Sequence, residues 1–128
     1  MDPVYLFDLA SRHAQWASVR QAVITGNIAN ANTPGYEALD VQPFTDVLDQ
    51  TALTMARTDS GHLEIADASA RTEKTGQADS WEVLPSGNSV SLEQELIKAD
   101  DVNRSFSLDT DVMRAFNRML LSSVKATS

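Results

Sequence analysis

The sequence contains no cysteine, so a disulfide framework and a thiolate metal site are both excluded. It also has no apolar run near the roughly 20 residues that a helix needs to cross a bilayer. Its start, Met1-Asp2-Pro3, lacks the basic and then apolar stretch expected of a cleavable secretory signal. Basic residues are scarce too: the net charge of −8 predicts no cationic surface for nucleic acid.

The negative charge is concentrated in the middle of the chain. Residues 1–35 are neutral in sum, residues 36–90 carry ten acidic and three basic groups, and residues 91–128 carry six and five. Protein surfaces that pack against other proteins tend to be poor in net charge. The distribution therefore predicts an outward-facing middle segment and two ends that pack against protein.

The first segment, from Val4 to about Ala31, has helical periodicity. A strict spacing of three and four residues joins Leu6, Leu9, His13, Trp16, Arg20, Val23, Asn27 and Asn30, beside an apolar row of Ala10, Ala14, Ala17, Ile24, Ile28 and Ala31. Pro34-Gly35 ends the helix, because a residue before proline leaves the α region and Pro-Gly fits the centre of a type II turn.

The middle segment has weaker patterns. A short helix is predicted over Phe44–Gln50, and alternation predicts short strands over Leu63–Ile65 and Trp81–Leu84. The polar stretch Ala66–Ser80 is typical of a mobile loop. Residues 85–88, Pro-Ser-Gly-Asn, predict a turn.

A second long helix is predicted from Ser91 onward. Ser91 and Gln94 have the spacing of a capping box, and no glycine or proline interrupts residues 89–128. Spacings of four and three residues then join Leu92, Leu96, Ala99, Asn103, Phe106, Thr110, Met113, Asn117, Leu120 and Val124.

These patterns predict a mainly α fold with three parts. Residues 1–36 form the first helix and its turn, residues 37–90 an irregular acidic middle with short strands, and residues 91–128 the second helix. The two helices are expected to pair along a coiled-coil-like seam, so that 1–36 and 91–128 make one packing unit.

The predicted seam has an apolar and a polar part. The apolar positions are Leu6, Leu9, Trp16, Val23, Leu92, Leu96, Phe106, Met113 and Leu120, and the polar positions are His13, Arg20, Asn103, Thr110 and Asn117. Polar seam positions weaken a simple two-helix pair, because a buried polar group needs a partner. Either they face solvent in a slightly different register, or they pair with one another or with neighbouring subunits.

Catalytic and metal-binding motifs are absent from the sequence. His13 and His62 are the two histidines and have no zinc-type spacing. Asp109-Thr110-Asp111 begins like a calcium loop but lacks its glycine and later ligand, so a solvated helix face is favoured. No enzyme, metal or cofactor is therefore predicted, although an enzyme using His62 and nearby carboxylates is the least favoured alternative.

The most unusual stretch is residues 26–36, Gly-Asn-Ile-Ala-Asn-Ala-Asn-Thr-Pro-Gly-Tyr. Asn27 and Asn30 lie on one helix face, although asparagine is a poor helix former. Two carboxamides at an apolar helix end suggest hydrogen bonds to the backbone of another chain.

This stretch resembles the signature of the flagellar rod, hook and hook-associated family, in which Asn-Ile-Ala-Asn-x-x-Thr-Pro-Gly-Tyr closes the N-terminal helix. The matching residues are Asn27, Ile28, Ala29, Asn30, Thr33, Pro34, Gly35 and Tyr36. Residues 87–96 resemble the entry to the family's C-terminal helix, and residues 57–63 resemble a mid-chain stretch of the same type. The short chain and the Leu-Glu-x-Glu at residues 92–95 are similar to a proximal-rod member.

The resemblance implies a structural subunit of the flagellar basal-body rod. It implies export through the flagellar type III apparatus, assembly in the periplasm, and contacts with other rod subunits and with the adaptor between the rod and the membrane-embedded MS ring. A non-polymerising helical adaptor or chaperone is the alternative from another class.

Overall fold

Two long helices form most of the structure, a computed structural model that describes residues 3–52, 72–74 and 83–125. In chain order the elements are α1 (Pro3–Ala29), β1 (Leu39–Val41), α2 (Phe44–Ala52), β2 (Thr72–Lys74) and α3 (Leu92–Lys125). The prediction of a mainly α fold with long terminal helices and short strands between them is confirmed.

Helices α1 and α3 pack antiparallel. Phe7 lies against Phe116 with ring centroids 4.9 Å apart, and Asn27 near the other end of α1 contacts Glu95 in the first turns of α3. Alanine at positions 10 and 17 of α1 is buried, as is Ile24 seven residues further on. Small side chains at this spacing let the two helix backbones approach closely.

The apolar core between the helices is small. Its fully buried members are Ala17, Ile24 and Val102, with Trp16 and Ala99 packed against them. A fully buried aliphatic side chain contributes about 1.5–3 kcal/mol. Ile24 and Val102 together therefore contribute about 3–6 kcal/mol, and half-buried contacts such as that of Phe7 with Phe116 add to it.

The face that α3 turns toward α1 differs from the predicted row. Glu95 and Val102 are the buried residues of α3, whereas the predicted seam residues Leu92, Leu96, Phe106 and Leu120 are exposed. The buried and the predicted rows are neighbours on the helix surface. Because α3 has apolar side chains on both, periodicity alone did not determine which row faces α1.

The polar positions of the predicted seam separate into two groups. In α3, Asn103 and Asn117 face solvent, and the Thr110 hydroxyl donates to the Phe106 carbonyl of its own helix. In α1, His13 and Arg20 are half-buried and bind carboxylates of other elements. Both interpretations of the polar positions therefore apply, one to each helix.

The predicted stop of α1 is confirmed. The helix ends at Ala29, and a turn follows in which the Tyr36 N–H donates to the Thr33 carbonyl at 3.2 Å. Gly35 has a φ of 71°, the left-handed conformation that a type II turn requires after proline.

The short helix predicted over Phe44–Gln50 is present as α2 and extends to Ala52. The strands are elsewhere than predicted: β1 and β2 pair antiparallel, with Leu39 opposite Lys74 and Val41 opposite Thr72. Because β2 lies inside the stretch expected to be a mobile loop, that prediction is wrong for Thr72–Lys74.

Two further predictions in the middle segment have different outcomes. Val83 and Leu84 are not in a strand, so the strand prediction over Trp81–Leu84 is wrong for its second half. The turn at residues 85–88 is present, with the Gly87 N–H donating to the Leu84 carbonyl at 2.8 Å. The predicted strand over residues 63–65 lies outside the described residues, as do His62 and most of the predicted loop.

Candidate assembly site

Asn27 is the centre of a buried polar junction, which lies between the C-terminal end of α1 and the N-terminal end of α3. Its side-chain amide donates to the Leu39 carbonyl at 2.7 Å and to the Glu95 carboxylate at 3.0 Å. Its side-chain oxygen accepts from the Leu39 N–H at 3.0 Å and from the Tyr36 hydroxyl at 3.3 Å. A carboxamide offers two donors and two lone pairs, so the hydrogen-bonding capacity of Asn27 is filled.

A chain of charges continues from Asn27 across three elements. The Glu95 carboxylate, which is buried, lies 3.1 Å from Lys98 Nζ, and Lys98 Nζ lies 3.1 Å from Asp40 Oδ2. Arg20 Nε donates to Asp40 Oδ1 at 3.1 Å, and its guanidinium lies 5.4 Å from the centroid of the Trp16 ring. The network therefore ties α1, β1 and α3 together by alternating charges.

The charges around Asp40 shift its ionisation. Burial disfavours the carboxylate, but hydrogen bonds from Arg20, from the Val41 N–H and from Lys98, together with the Arg20 charge, outweigh it. The pKa of Asp40 is consequently lowered below its ordinary value. Asp40 is therefore a carboxylate held ionised by two basic side chains from two different helices.

Asn88 closes the C-terminal end of α1 from the other side. Its amide donates to the carbonyls of Asn30, Ala31 and Thr33 at 2.9, 3.0 and 2.8 Å, and its side-chain oxygen accepts from the Val90 N–H at 2.8 Å. These three carbonyls belong to the turn that follows α1, which ends at Ala29. Asn88 supplies a shared donor to this turn from a segment more than fifty residues away.

Backbone contacts hold the segment around Asn88 against the Pro-Gly turn. The Gly35 N–H donates to the Ser86 carbonyl at 2.9 Å, and the Ser89 N–H donates to the Tyr36 carbonyl at 3.1 Å. Gly87 has a φ of 80°, and a Cβ placed on it would lie 3.6 Å from the Gly35 Cα. A Cβ would therefore fit at this distance, and it is the positive φ of Gly35 and Gly87 that favours glycine in the two turns.

The asparagine-rich motif of residues 26–36 makes its hydrogen bonds within this chain. Asn27 and Asn30 were expected to bind the backbone of another chain, but Asn27 binds Leu39, and Asn30 donates to the Gly26 carbonyl of its own helix at 2.8 Å. Asn27 is buried with its hydrogen bonds filled within the chain, so the expectation is wrong for Asn27, whereas it stays a prediction for the half-buried Asn30. Asparagine is suited here because its side chain imitates a peptide group and completes backbone pairing where the helix stops.

The other motif residues are divided between the junction and the surface. Tyr36 is half-buried and binds Asn27, and Thr33 donates its hydroxyl to the Asn30 side chain at 3.2 Å. Ile28 and Ala29 are exposed on α1, as are Pro34 and Gly35 in the turn.

An aromatic and ionic contact lies further along the helix pair. His13 Nδ1 donates to the Asp109 carboxylate at 2.7 Å and lies edge-on to Phe44, 4.6 Å between centroids. Trp16 Nε1 donates to the Gln42 carbonyl at 2.8 Å. These contacts fasten α2 and the segment before it onto the helix pair, so His13 and Trp16 act here in packing.

The remaining predicted seam residues line the helix pair or its rim. Leu6, Leu9, Val23 and Met113 are half-buried.

The described residues contain no group of three or more histidine and acidic side chains that could hold a metal ion. In the same part of the chain, no helix is long and apolar enough to span a membrane.

Sequence reasoning missed Asn88, Glu95 and Asp40 as members of the junction. Glu95 was noted only as part of the Leu-Glu-x-Glu at residues 92–95. Its spacing of four and then three residues to Ala99 and Val102 puts it on their face, which was a usable signal. Asp40 carried no comparable signal, because its partners come from distant parts of the chain.

Comparisons with known proteins agree with the motif. A family model described as "Flagella basal body rod protein" matches residues 10–36. The chain is similar to "Flagellar basal body rod protein FlgB" of Agrobacterium fabrum, with 42% identity covering 98% of this chain and 96% of the relative. It is also similar to proteins of that name from Bacillus subtilis (34% identity, 62% of each chain) and Buchnera aphidicola (27%, covering 73% of this chain and 74% of the relative). The chain belongs to the FlgB family of flagellar basal body rod proteins.

Proposed function

We propose that this rod subunit builds the proximal part of the flagellar rod by packing the outer faces of its terminal helices against other rod subunits, with no catalytic role. Residues 1–36 and 91–128 act as one packing unit, and described parts of the middle segment are fastened onto it through Leu39, Asp40 and Asn88. Similarity to FlgB over nearly the whole chain favours this assignment over FlgC, the neighbouring proximal-rod type.

The observation that carries the proposal is the apolar surface of α3. Large apolar side chains that are at least 40% exposed are Leu92, Leu96, Ile97, Phe106, Leu108, Met119, Leu120, Leu121 and Val124. Single exposed apolar residues are ordinary, but a concentration of them on one helix marks an interaction surface. It contrasts with the small core between α1 and α3, so burying this surface in an assembly would contribute more than the chain's own core.

The motif residues serve assembly indirectly in this proposal. Asn27, Asn30 and Tyr36 fix where α1 ends and where α3 begins relative to it. The exposed rows of α1 and α3 are then presented as one rigid surface. His13 and Arg20 support it from within, whereas Asn103 and Asn117 are available to neighbouring subunits.

The family relationship also supports partners and a location for the subunit. The proposed partners are neighbouring rod subunits, the adaptor between the rod and the MS ring, and the flagellar export apparatus. The proposed location is the periplasmic part of the basal body, reached by type III export.

Deleting the gene and imaging isolated basal bodies tests the proposal. We expect loss of motility and basal bodies without a rod, and intact rods in the deletion strain would refute it. Complementation with Leu96→Asp, which places a charge on the exposed apolar surface, should fail to restore rods. Ser107→Asp is the matched control, because it adds a charge at an exposed position of the same helix to which the proposal assigns no contact, and it should restore them.

The same experiment separates the rod subunit from a non-polymerising adaptor or chaperone. Labelled subunit present in purified rods supports the proposal. Labelled subunit absent from rods that depend on the gene would favour the adaptor or chaperone.

A further inference from the structure

Residues 39–44, called the strap below, comprise β1 and the chain up to the first residue of α2, and they run along one side of α1. The contacts descend α1 in order: Leu39 binds Asn27, Asp40 accepts from Arg20, the Gln42 carbonyl accepts from Trp16, and Phe44 lies against His13. Five steps of extended chain advance about 17 Å, and residues 27 to 13 of a helix span about 21 Å. The strap therefore follows α1 antiparallel over about half of its length.

Asn27 recognises extended backbone in the strap. Its amide donates to the Leu39 carbonyl and its side-chain oxygen accepts from the Leu39 N–H, so one side chain binds both backbone groups of one residue. Inside a helix these two groups are already bonded to residues four positions away. The interior of a neighbouring helix could therefore not replace Leu39, and the place is suited to an extended segment alone.

Two basic side chains also depend on the strap. Arg20 Nε and Lys98 Nζ each lie 3.1 Å from the Asp40 carboxylate, and their side chains are only 23% and 13% exposed. Without the strap, Arg20 would lose this carboxylate, whereas Lys98 would keep Glu95. A half-buried charge without its counter-ion is costly, so a displacing segment would have to bring an acidic side chain of its own.

We infer that the strap stays on α1 in the assembled rod and closes this side of α1 to the helices of neighbouring subunits. His13, Trp16 and Arg20 then anchor the middle segment to the helix pair. Neighbouring helices approach α1 from a side that the strap leaves open, such as the exposed row of Ser11, Ser18 and Thr25. The inference rests on the proposed function, because it concerns the subunit within a rod.

The chain's own strap is the occupant of this side of α1, rather than the strap of a second copy. Leu39 is only twelve residues from Asn27, so the covalent connection keeps it at a high effective concentration there. The turn between them is also pinned, because the Gly35 N–H donates to the Ser86 carbonyl and the Ser89 N–H donates to the Tyr36 carbonyl. Exchange of straps between copies would have to break these bonds as well.

Carbodiimide cross-linking of isolated basal bodies tests the inference. The reagent joins a carboxylate to an amine in direct contact through an amide bond. We expect mass spectrometry of the digested subunit to find Asp40 joined to Lys98. Glu95 and Lys98, 3.1 Å apart within α3, provide the internal control for access of the reagent. Rods that contain the Glu95 link but no Asp40 link would show that the strap has left α1, and would overturn the inference.

A matched pair of variants confirms that the link is specific. Asp40→Asn should abolish the link to Lys98. Asp46→Asn, which removes an exposed carboxylate from α2, should leave it at the wild-type level.

Mixed rods decide whether the contact lies within one chain. In cells that produce Asp40→Asn and Lys98→Gln subunits together, no chain carries both partners. A contact within one chain predicts loss of the Asp40–Lys98 link in the mixture. Its persistence at a level comparable to wild type would show that straps are exchanged between copies, and would overturn the inference.

Failure of the proposed function has a different signature. It is recognised by intact rods in the deletion strain, or by absence of this subunit from purified basal bodies, whatever the cross-linking gives.

Discussion

Asn27 and Glu95 share a hydrogen bond of 3.0 Å although 68 residues separate them in the sequence. Their residues are 0% and 1% exposed, so the bond joins the last turn of α1 to the first turns of α3 inside the protein. Around it, Lys98 forms an ion pair with Glu95, and the Leu39 backbone and the Tyr36 hydroxyl bind the remaining positions of the Asn27 carboxamide. With so few apolar residues buried between the helices, this polar contact fixes the register of the hairpin.

Replacing Asn27 with alanine should destabilise the helix hairpin strongly. The substitution leaves Glu95 with one partner fewer and removes both side-chain bonds to the Leu39 backbone. Buried polar groups without partners cost about 1–3 kcal/mol each, so we expect the free energy of unfolding to fall by about 3 kcal/mol. Urea unfolding followed by circular dichroism measures the change.

The matched control for this prediction is Asn32→Ala. Asn32 belongs to the same asparagine-rich stretch but is exposed, so its replacement should change the unfolding free energy by less than about 0.5 kcal/mol. Equal effects of the two substitutions would show that the buried carboxamide has no special part in stability.

Replacing Asn88 with alanine should loosen the end of α1. The Asn30, Ala31 and Thr33 carbonyls would lose their shared donor, while the backbone pairing around Gly35 and Ser86 remains. We expect a loss of about 4 kcal/mol in stability, because the four side-chain hydrogen bonds of Asn88 are lost and each contributes roughly 1 kcal/mol.

Hydrogen exchange locates this effect. Amides of residues 30–36 should exchange faster in Asn88→Ala, whereas those in the middle of α1 should change less. Ser86→Ala serves as the control, because Ser86 contributes its backbone carbonyl to the Gly35 contact. Uniform acceleration along α1 would contradict a local capping role for Asn88.

Acid should weaken the junction through Asp40. The pKa of Asp40 is lowered in the folded protein, so its contribution to stability is complete above its unfolded pKa of about 3.9. It is lost as the pH falls through the lower folded pKa, because the protonated carboxyl no longer attracts Arg20 and Lys98. Urea unfolding midpoints compared between neutral pH and pH values below 4 measure the loss.

The control variant for this pH effect is Asp40→Asn. It should be less stable than wild type at neutral pH, since Arg20 and Lys98 lose their shared partner, and the difference should shrink in acid. A constant difference across the pH range would show that ionisation of Asp40 does not stabilise the fold.

The positions of the helices could be predicted from the sequence because their signals are local. Periodicity over many residues predicted α1 and α3, and Pro34-Gly35 predicted the end of α1 within a few residues. The row of α3 that faces α1 was missed for a physical reason. Several rows of α3 are apolar, and only the partner helix, with its small residues Ala10 and Ala17, determines which one is covered.

The candidate site was only partly predictable. The sequence singled out Asn27 and Asn30, because asparagine before a helix stop is unusual, but it assigned their partners to another chain. The true partners of Asn27 are Leu39 and Glu95, one just beyond the turn and one in α3. Short polar contacts between distant segments leave no periodic pattern, so their pairing becomes visible only in the folded chain.

The free subunit should have less helix in dilute solution than in the assembled rod. Every described residue from Asn117 to Lys125 is exposed, so packing against the described part of the chain covers little of this end of α3. The end of a helix without tertiary packing frays, since most helical stability in proteins comes from packing of one face. We expect circular dichroism of dilute subunit to show less helix than α1 and α3 contain, with fast amide exchange over residues 117–125. Full helicity with one cooperative melting transition in dilute subunit would contradict this, whereas helix content rising with concentration would indicate that assembly completes α3.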